Sequence, residues 1–375
     1  MIYFDNAATG GRKPETVLTA ATAALHLCAN PGRSGHRLSV TLAQRVLSCR
    51  KLLADYFDCE SYENVVFTKN CTEALNVLLF GTLRKGDHVI TSCMEHNSVL
   101  RPLHRLASLG IITYDVCPLS DGSLSPQDVA TRLRPTTKAV IVTAASNVTG
   151  ASVNLSAIKS VLPKDVLFFC DGAQGGGHLP LKMQETGLDG LCLAGHKGLL
   201  GIAGSGVLLF SSRATPRPLL FGGTGSMSYS LDMPDFSPDA LEAGTVNFPA
   251  IISLFEGINH LTVHGDAISK HLSALTARAI NGLQTFPKVR TYSRPNACGI
   301  IAFAHEHFPS EVLSAKLSQE YDVATRGGLH CAPLMHEALG TDDGLLRLSF
   351  DHASTEKEID AVLSYLADIF HGKNG

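Results

Sequence analysis

Four apolar segments of the sequence are each followed by polar residues whose side chains commonly take part in catalysis or ligand binding. In chain order, the residues that follow these segments are Cys71 with Thr72, Asn147, Asp171, and His196 with Lys197. The lysine lies between glycines in AGHKG, which is unusual for a solvated surface lysine, whereas Asp171 alone would equally fit a turn or a helix cap. Together, the four sites supply an amine, a carboxylate, an amide and a helix start.

These groups suit the chemistry of pyridoxal 5'-phosphate (PLP). A lysine amine can form a Schiff base with an aldehyde, and a carboxylate can keep a pyridine nitrogen protonated so that the ring accepts electrons from a carbanion. The helix start after Cys71 has free N–H groups and a positive end, which suits a phosphate. We therefore expect a PLP site built from Lys197, Asp171 and this helix start.

The segments around these residues alternate between strand-like and helix-like patterns. The strand-like segments lie at 64–68, 88–92, 111–116, 139–146 and 166–171. Continuous apolar strands separated by helices indicate a mainly parallel sheet that is covered on both faces. Because such a sheet binds ligands beyond the carboxyl ends of its strands, we expect the polar residues to meet at one sheet edge.

Further patterns flank this α/β core. Apolar residues recur on one helix face over 41–57, and Thr355 with Glu358 forms a capping box ahead of a C-terminal helix. The stretch 211–249 is rich in Gly, Pro and Ser, which is typical of a long functional loop. We place a domain change just after it, near residue 248.

Composition narrows the class of protein. Of the 375 residues, 45% are apolar and 17% charged, which indicates a well-packed globular chain. A net charge of -3 argues against nucleic acid or an anionic membrane as the main partner. The ten cysteines form no C-x-x-C pair, and the N-terminus lacks a secretion signal, so we expect a reducing, cytoplasmic location. HEH at 305–307 lacks metal-ligand spacing, and we expect no metal.

The motifs resemble those of class-V aminotransferase-fold PLP enzymes, and within them the cysteine desulfurase and selenocysteine lyase group. The resemblance covers nearly the whole chain, through YFDNAAT, FTKNCTEA, GDHVITSCMEHNS, ASNVTG, DGAQ, AGHKG, EAGT, RGGLHCAP and LLRLSF. It implies the aspartate aminotransferase-like fold (fold type I), with a large PLP-binding domain over 14–247 that contains a mainly parallel seven-stranded sheet. A smaller α/β domain, formed by 1–13 and 248–375, would carry the catalytic cysteine loop and a substrate-binding arginine.

The resemblance also implies roles around the cofactor ring. Lys197 would carry the Schiff base, and Asp171 would bind the pyridine nitrogen. His96 would stack on the ring and shuttle protons. Gln174 would hydrogen-bond the ring oxygen, and Asn147 would lie near that oxygen and the substrate carboxylate.

The phosphate and the substrate would have their own residues. The phosphate would be held by Cys71, Thr72, His196 and, from the second subunit of a homodimer, Thr245. Arg347 matches the arginine that clamps the substrate carboxylate, a task that suits its bidentate fork. Ala7 would also contact the substrate.

Two departures from the family pattern stand out. Where many relatives have a serine two residues before the histidine of the lysine motif, this chain has Ala194. The missing hydroxyl would cost about 1 kcal/mol of phosphate binding if nothing replaced it. Where the desulfurase branch has two histidines before the loop cysteine, this chain has Leu329 and His330. The roles of His178 and His330 stay open.

The leading hypothesis is removal of sulfur from L-cysteine. The substrate amine would displace Lys197, and freed Lys197 would take the α-proton. Cys331, as a thiolate, would then attack the substrate sulfur, which leaves an enzyme persulfide and L-alanine. The persulfide would pass to an acceptor protein or thiol.

Other functions fit parts of the same pattern. A lyase acting on selenocysteine or another β-substituted amino acid would depend less on Cys331 as a nucleophile, because selenium leaves more readily. The reaction of a plain transaminase does not require the loop thiol. A non-catalytic sulfur-trafficking partner would not need the complete set of Lys197, Asp171, His96 and Arg347.

Overall fold

The computed structural model describes residues 1–372, over which helices and strands alternate for most of the chain. The strands are β1 (Ile2–Tyr3), β2 (Val65–Thr68), β3 (Asp87–Ser92), β4 (Ile112–Cys117), β5 (Thr137–Thr143), β6 (Leu167–Asp171), β7 (Gly190–Ala194), β8 (Gly206–Phe210), β9 (Val289–Thr291), β10 (Ile300–His305), β11 (Val323–Ala324) and β12 (Leu346–Ser349). The helices are α1 (Glu15–Leu25), α2 (Arg37–Phe57), α3 (Cys71–Thr82), α4 (Asn97–Ser108), α5 (Pro126–Ala130), α6 (Leu155–Ser160), α7 (Met183–Thr186), α8 (Phe248–Leu283), α9 (Ser310–Tyr321), α10 (Pro333–Leu339) and α11 (Glu356–Phe370).

A seven-stranded sheet forms the centre of the molecule, in the order β2-β8-β7-β6-β5-β3-β4. Only β8 runs antiparallel to its neighbours. Strands β6, β7 and β8 are buried along their whole length, which explains their continuous apolar sequences. The predicted mainly parallel α/β sheet is confirmed.

Some element boundaries differ from the sequence patterns for local reasons. The helix predicted over 41–57 begins at Arg37, because the His36 ring caps it by accepting a hydrogen bond from the Ser39 N–H at 3.2 Å. Strand β5 ends at Thr143 rather than 146. The capping box of Thr355 and Glu358 at the start of α11 is confirmed.

Two smaller sheets lie outside the central one. Strands β9, β10 and β12 form an antiparallel sheet, and β1 pairs in parallel with β11. The long helix α8 begins at Phe248 and contacts α1, α2 and α11. The division into domains over 14–247 and over 1–13 with 248–375 stays a prediction. Within residues 1–372, no helix combines the length and apolar character needed to cross a bilayer.

Candidate active site

A cavity lies at the carboxyl ends of the central parallel strands. Eight residues predicted from the sequence line it: Cys71, Thr72, His96, Asn147, Asp171, Gln174, His196 and Lys197. Five further residues complete the lining: Asn70, Ser98, Thr143, Ala173 and Ala194. The expectation that these strand-end residues meet at one sheet edge is confirmed.

Asp171 and Lys197 provide the two charged groups of the cavity. Asp171 ends β6 and is 2% exposed, and its Oδ1 accepts hydrogen bonds from the Ala173 N–H at 2.9 Å and the Cys71 thiol at 3.4 Å. Burial lowers the pKa of Lys197, although the nearby Asp171 charge opposes this effect. A lowered pKa increases the fraction of neutral amine, which is the nucleophilic form.

The glycines around Lys197 allow close packing. A Cβ atom at Gly195 would lie 2.2 Å from the hydroxyl oxygen of Ser205, and one at Gly198 would lie 2.5 Å from His178 Nε2. The turn that carries Lys197 is therefore packed closely against Ser205 and His178. The His178 ring supports this turn from behind.

His96 caps helix α4 and faces the cavity. Its Nδ1 accepts a hydrogen bond from the Ser98 N–H at 3.0 Å and lies 2.9 Å from the Ser98 hydroxyl oxygen. Burial lowers the pKa of His96, with nearby Lys197 acting in the same direction and Asp171 opposing. The imidazole is therefore neutral near pH 7, with Nδ1 as an acceptor.

Hydroxyl groups gather where helix α3 begins. The Thr72 and Ser98 oxygens are 2.7 Å apart, and His196 Nδ1 lies 3.0 Å from the Thr9 hydroxyl. The Cys71 thiol bonds Asp171, so the contribution of Cys71 at this end is its backbone N–H. Ser98 was not predicted from the sequence as a site residue. Its position two residues after His96, at the start of a helix, could have indicated this role.

The buried acid Glu95, which directly precedes His96, was also not predicted from the sequence. Glu95 is fully buried, and its Oε1 accepts hydrogen bonds from the Ser92 hydroxyl at 2.5 Å and the Thr143 N–H at 3.0 Å. These bonds tie the end of β3 to the end of β5. Burial raises the pKa of Glu95 to about 8.

The cavity is connected to other segments of the chain through Asn147, Gln174 and Ala7. Gln174 Nε2 donates to the Ala7 carbonyl at 2.9 Å, and Asn147 Nδ2 donates to the His330 carbonyl at 2.7 Å. Asn147 Oδ1 is buried without a hydrogen-bond partner among residues 1–372. An unpaired buried polar atom costs roughly 1–3 kcal/mol, so this oxygen favours a bound ligand that donates to it.

Arg347 is 1% exposed, and two neighbours hold it. Its Nη1 donates to the Asn147 carbonyl and its Nη2 to Asp5 Oδ1, both at 2.9 Å. The Nε group has no partner within the described part of the chain. A buried guanidinium with a free donor beside the cavity can bind a carboxylate.

Cys331 lies on the loop that follows Arg326. Eight of the ten cysteines are buried, and only Cys28 and Cys331 are exposed. Cys331 Sγ lies 3.9 Å from Arg326 Nη2, and the Cys331 carbonyl accepts from the Asn97 N–H at 2.7 Å. Asn97 directly follows His96, so the thiol loop is attached to the cavity wall.

The backbone of the thiol loop is strained. His330 and Cys331 have φ values of +52° and +56°, a left-handed conformation that costs roughly 1–2 kcal/mol for each non-glycine residue. Such strain persists only where the surroundings hold it in place. The His330 ring is directed inward, to Arg326 and His336, and it forms no hydrogen bond with the thiol.

Thr245 is the one predicted cofactor residue outside the cavity of its own chain. It lies beside Gly244 and Val246 at a separate surface pocket. Its hydroxyl accepts a hydrogen bond from Asn30 Nδ2 at 3.2 Å.

A sequence profile of the aminotransferase class-V family matches residues 2–362. The chain belongs to the class-V aminotransferase family. Within this family it is 31% identical, over 98% of its length and 94% of the relative's, to a protein of Pyrococcus abyssi named probable cysteine desulfurase.

Solved structures of the family have the same fold. The apo structure of a cysteine desulfurase from Thermococcus onnurineus superposes with a TM-score of 0.90 at 28% identity, covering 99% of this chain and 95% of that one. The cysteine desulfurase CsdA of Escherichia coli, in an S-sulfonic acid form, gives a TM-score of 0.88 at 27% identity, covering 98% and 94%. The fold and the family membership of this chain are thereby established.

Proposed function

We propose that this family member is a PLP-dependent cysteine desulfurase that converts L-cysteine to L-alanine and keeps the sulfur as a persulfide on Cys331. One observation carries the proposal: Asn147, in the wall of the lysine cavity, bonds the backbone beside Cys331 and accepts from Arg347. Asn147 therefore connects the lysine cavity to Arg347 and to the loop that carries the exposed Cys331 thiol. The relatives named cysteine desulfurase support the same reaction.

The donor set of the cavity fits PLP. Lys197 would hold the cofactor covalently, and Asp171 would bind the ring nitrogen. The phosphate would be held by the α3 N-terminus with Thr72, Ser98 and His196. The Gln174 amide would donate to the ring oxygen, Asn147 would lie beside that oxygen, and His96 would cover the ring. When bound, PLP supplies an electron sink that stabilises negative charge at the substrate carbons.

The protein residues would orient the substrate and move its proton. Arg347 would pair with the substrate carboxylate through its free Nε group, assisted by Asn147 and the Ala7 peptide. Lys197, whose pKa is lowered by burial, would take the α-proton as a free amine. The neutral His96 ring would pass a proton to or from the reacting groups.

The sulfur step would occur at Cys331. The Cys331 thiolate would attack the substrate sulfur, the bond between that sulfur and the substrate Cβ would break, and the carbon would keep the electron pair. A proton added to that carbon and another returned to the α-carbon complete L-alanine, and the sulfur stays on the enzyme as a persulfide. Because Cys331 is exposed, a thiol-bearing acceptor can reach the persulfide.

The proposal includes a homodimer in which Thr245 reaches the partner's cavity. Support comes from an exposed apolar stretch close to Thr245 in sequence, formed by Leu219, Leu220, Phe221, Met227, Tyr229, Leu231 and Phe236. Exposed apolar patches of this kind mark protein interfaces. Sedimentation equilibrium would test this, and an active monomer would contradict it.

Replacing each exposed cysteine tests the sulfur step. Cys331→Ser should abolish alanine formation from L-cysteine while leaving the absorption band of bound PLP intact. Cys28→Ser changes the other exposed thiol and should retain full activity. Unchanged turnover in Cys331→Ser would overturn the proposal, and a keto acid as the main product would indicate a transaminase instead.

A further inference from the structure

One thiol in the lysine cavity has no part in the proposed sulfur step. Cys71 is the first residue of helix α3, lines the cavity and is 6% exposed. Its Sγ donates a hydrogen bond of 3.4 Å to Asp171 Oδ1, across a separation of 100 positions in the chain. The family resemblance assigns Cys71 to the phosphate, whereas its thiol lies against the carboxylate.

The position of this thiol is fixed by the residue before it. Asn70 caps α3 by accepting a hydrogen bond from the Glu73 N–H at 2.9 Å. A Cβ atom at Gly206, on strand β8, would lie 2.4 Å from the carbonyl carbon of Asn70. The backbone at Asn70 therefore packs directly on the central sheet, and the Cys71 side chain that follows is held against the end of β6.

The Cys71 thiol is a hydrogen-bond donor. Burial raises the pKa of Cys71 well above its ordinary value, and the nearby Asp171 charge acts in the same direction. The thiol therefore keeps its proton at neutral pH. Because an ionised carboxylate can only accept, the bond runs from Cys71 to Asp171.

The two carboxylate oxygens of Asp171 have different surroundings. Oδ1 accepts from both the Cys71 thiol and the Ala173 N–H, the latter at 2.9 Å. Among residues 1–372 these are the hydrogen bonds that the carboxylate accepts, so Oδ2 has no protein partner. The Asp171 side chain is 2% exposed and lines the cavity. A buried carboxylate oxygen without a partner favours a ligand that donates to it.

We infer that Cys71 is a positioning residue that orients the Asp171 carboxylate through Oδ1, so that Oδ2 accepts from the N–H of a protonated pyridine ring. The inference rests on the PLP site of the proposed function. Donors on Oδ1 stabilise the negative charge of the carboxylate, which favours the proton on the ring nitrogen over a proton on Asp171. The protonated ring is the form that accepts electrons from a carbanion.

A comparison of two cofactors tests this role: PLP and its deaza analogue, in which a carbon atom replaces the ring nitrogen. Cys71→Ala removes the thiol donor, whereas Cys71→Ser keeps a donor at this position. We expect the Kd for PLP, measured by absorbance, to rise about fivefold in Cys71→Ala, and Cys71→Ser to recover most of this loss. The deaza analogue has no ring N–H, so its Kd should agree within about twofold between Cys71→Ala and the wild type.

A matched control separates positioning from structural support. Cys49 is also a buried thiol that donates a hydrogen bond, to the Ile251 carbonyl at 3.5 Å, but it lies in α2 outside the cavity. Cys49→Ala should bind PLP and the deaza analogue like the wild type. An equal loss of affinity for the two cofactors in Cys71→Ala would overturn the inference, because Cys71 would then act on the phosphate or on the fold.

A second substitution decides if Cys71→Ala fails to fold. Cys71→Val fills the place of the thiol with an apolar group and supplies no donor. We expect the same rise of about fivefold in the Kd for PLP. A wild-type Kd for PLP in Cys71→Val would contradict the inference.

Failure of this inference is distinguishable from failure of the proposed function. If the wild type binds no PLP, the proposed function fails, and the inference fails with it. If the wild type binds PLP and forms alanine from L-cysteine, while Cys71→Ala has the wild-type Kd for PLP, only the role of Cys71 fails.

Discussion

Asn147 donates a hydrogen bond of 2.7 Å from its Nδ2 to the carbonyl oxygen of His330. The main-chain carbonyl of Asn147 accepts a second bond, of 2.9 Å, from Arg347. One residue at the end of a central strand thus holds the thiol loop, the buried arginine and one wall of the lysine cavity. The geometry of the proposed reaction depends on this junction.

Asn147→Asp should separate the thiol loop from the cavity. The aspartate side chain has only acceptor oxygens, so it repels the His330 carbonyl instead of donating to it. The lost hydrogen bond and the added repulsion together cost roughly 1–3 kcal/mol. We expect kcat for alanine formation to fall about tenfold to a hundredfold. The same change at Asn154, which caps the distant helix α6, is the control, and equal kcat in both variants would contradict the role of Asn147.

Ser98→Ala should weaken the retention of PLP. Ser98 adds a hydroxyl beside Thr72 in a cavity where Ala194 lacks one, and the loss of a hydroxyl contact corresponds to about 1 kcal/mol. The Kd for PLP, measured by absorbance, should rise about fivefold. Adding Ala194→Ser to this variant should restore part of the affinity, while an unchanged Kd in Ser98→Ala would show that Ser98 does not hold the phosphate.

Arg347→Lys should raise KM for L-cysteine. A lysine amine cannot bond the Asn147 carbonyl, Asp5 and a substrate carboxylate in the planar arrangement of a guanidinium. We expect KM to rise by roughly a hundredfold, an effect of about 3 kcal/mol. Arg278→Lys, which alters a surface ion pair with Asp360, should leave KM unchanged; a small KM change in Arg347→Lys would place the carboxylate elsewhere.

Glu95→Gln should change how stability depends on pH. The folded-state pKa of Glu95 is about 8, above its ordinary value, so the folded protein binds this proton more tightly than the unfolded chain does. The contribution of Glu95 to stability is therefore fully present below about pH 4.5 and is lost as pH rises from there through about 8. Urea midpoints of the PLP-loaded protein should decline over this range more steeply in the wild type than in Glu95→Gln. Parallel curves would contradict the assignment.

The central sheet and most of the cavity residues are predicted from the sequence, because the patterns that indicate them lie within short segments. Strands such as β6 and β7 are buried on both faces, so they appear as apolar runs, and the polar residue that ends each run lies at the ligand edge. Asn147, Asp171 and Lys197 are found in this way, whereas His96 is predicted only from the family resemblance. Thr245 lies outside the cavity of its own chain, so its predicted role depends on a second subunit.

The supporting contacts are harder to predict because they join segments far apart in the chain. Glu95 bonds Thr143 across two neighbouring strands, and Ser98 meets Thr72 between two helix starts. No spacing rule in the sequence identifies these pairs.

The central claim is that Cys331 itself receives the sulfur. The most direct measurement is mass spectrometry of the PLP-loaded enzyme after a single turnover with L-cysteine, without a thiol acceptor. We predict that the peptide containing Cys331 gains the mass of one sulfur atom, that one L-alanine forms per modified site, and that the peptide containing Cys28 is unchanged. Alanine formation with an unmodified Cys331 peptide would contradict the account.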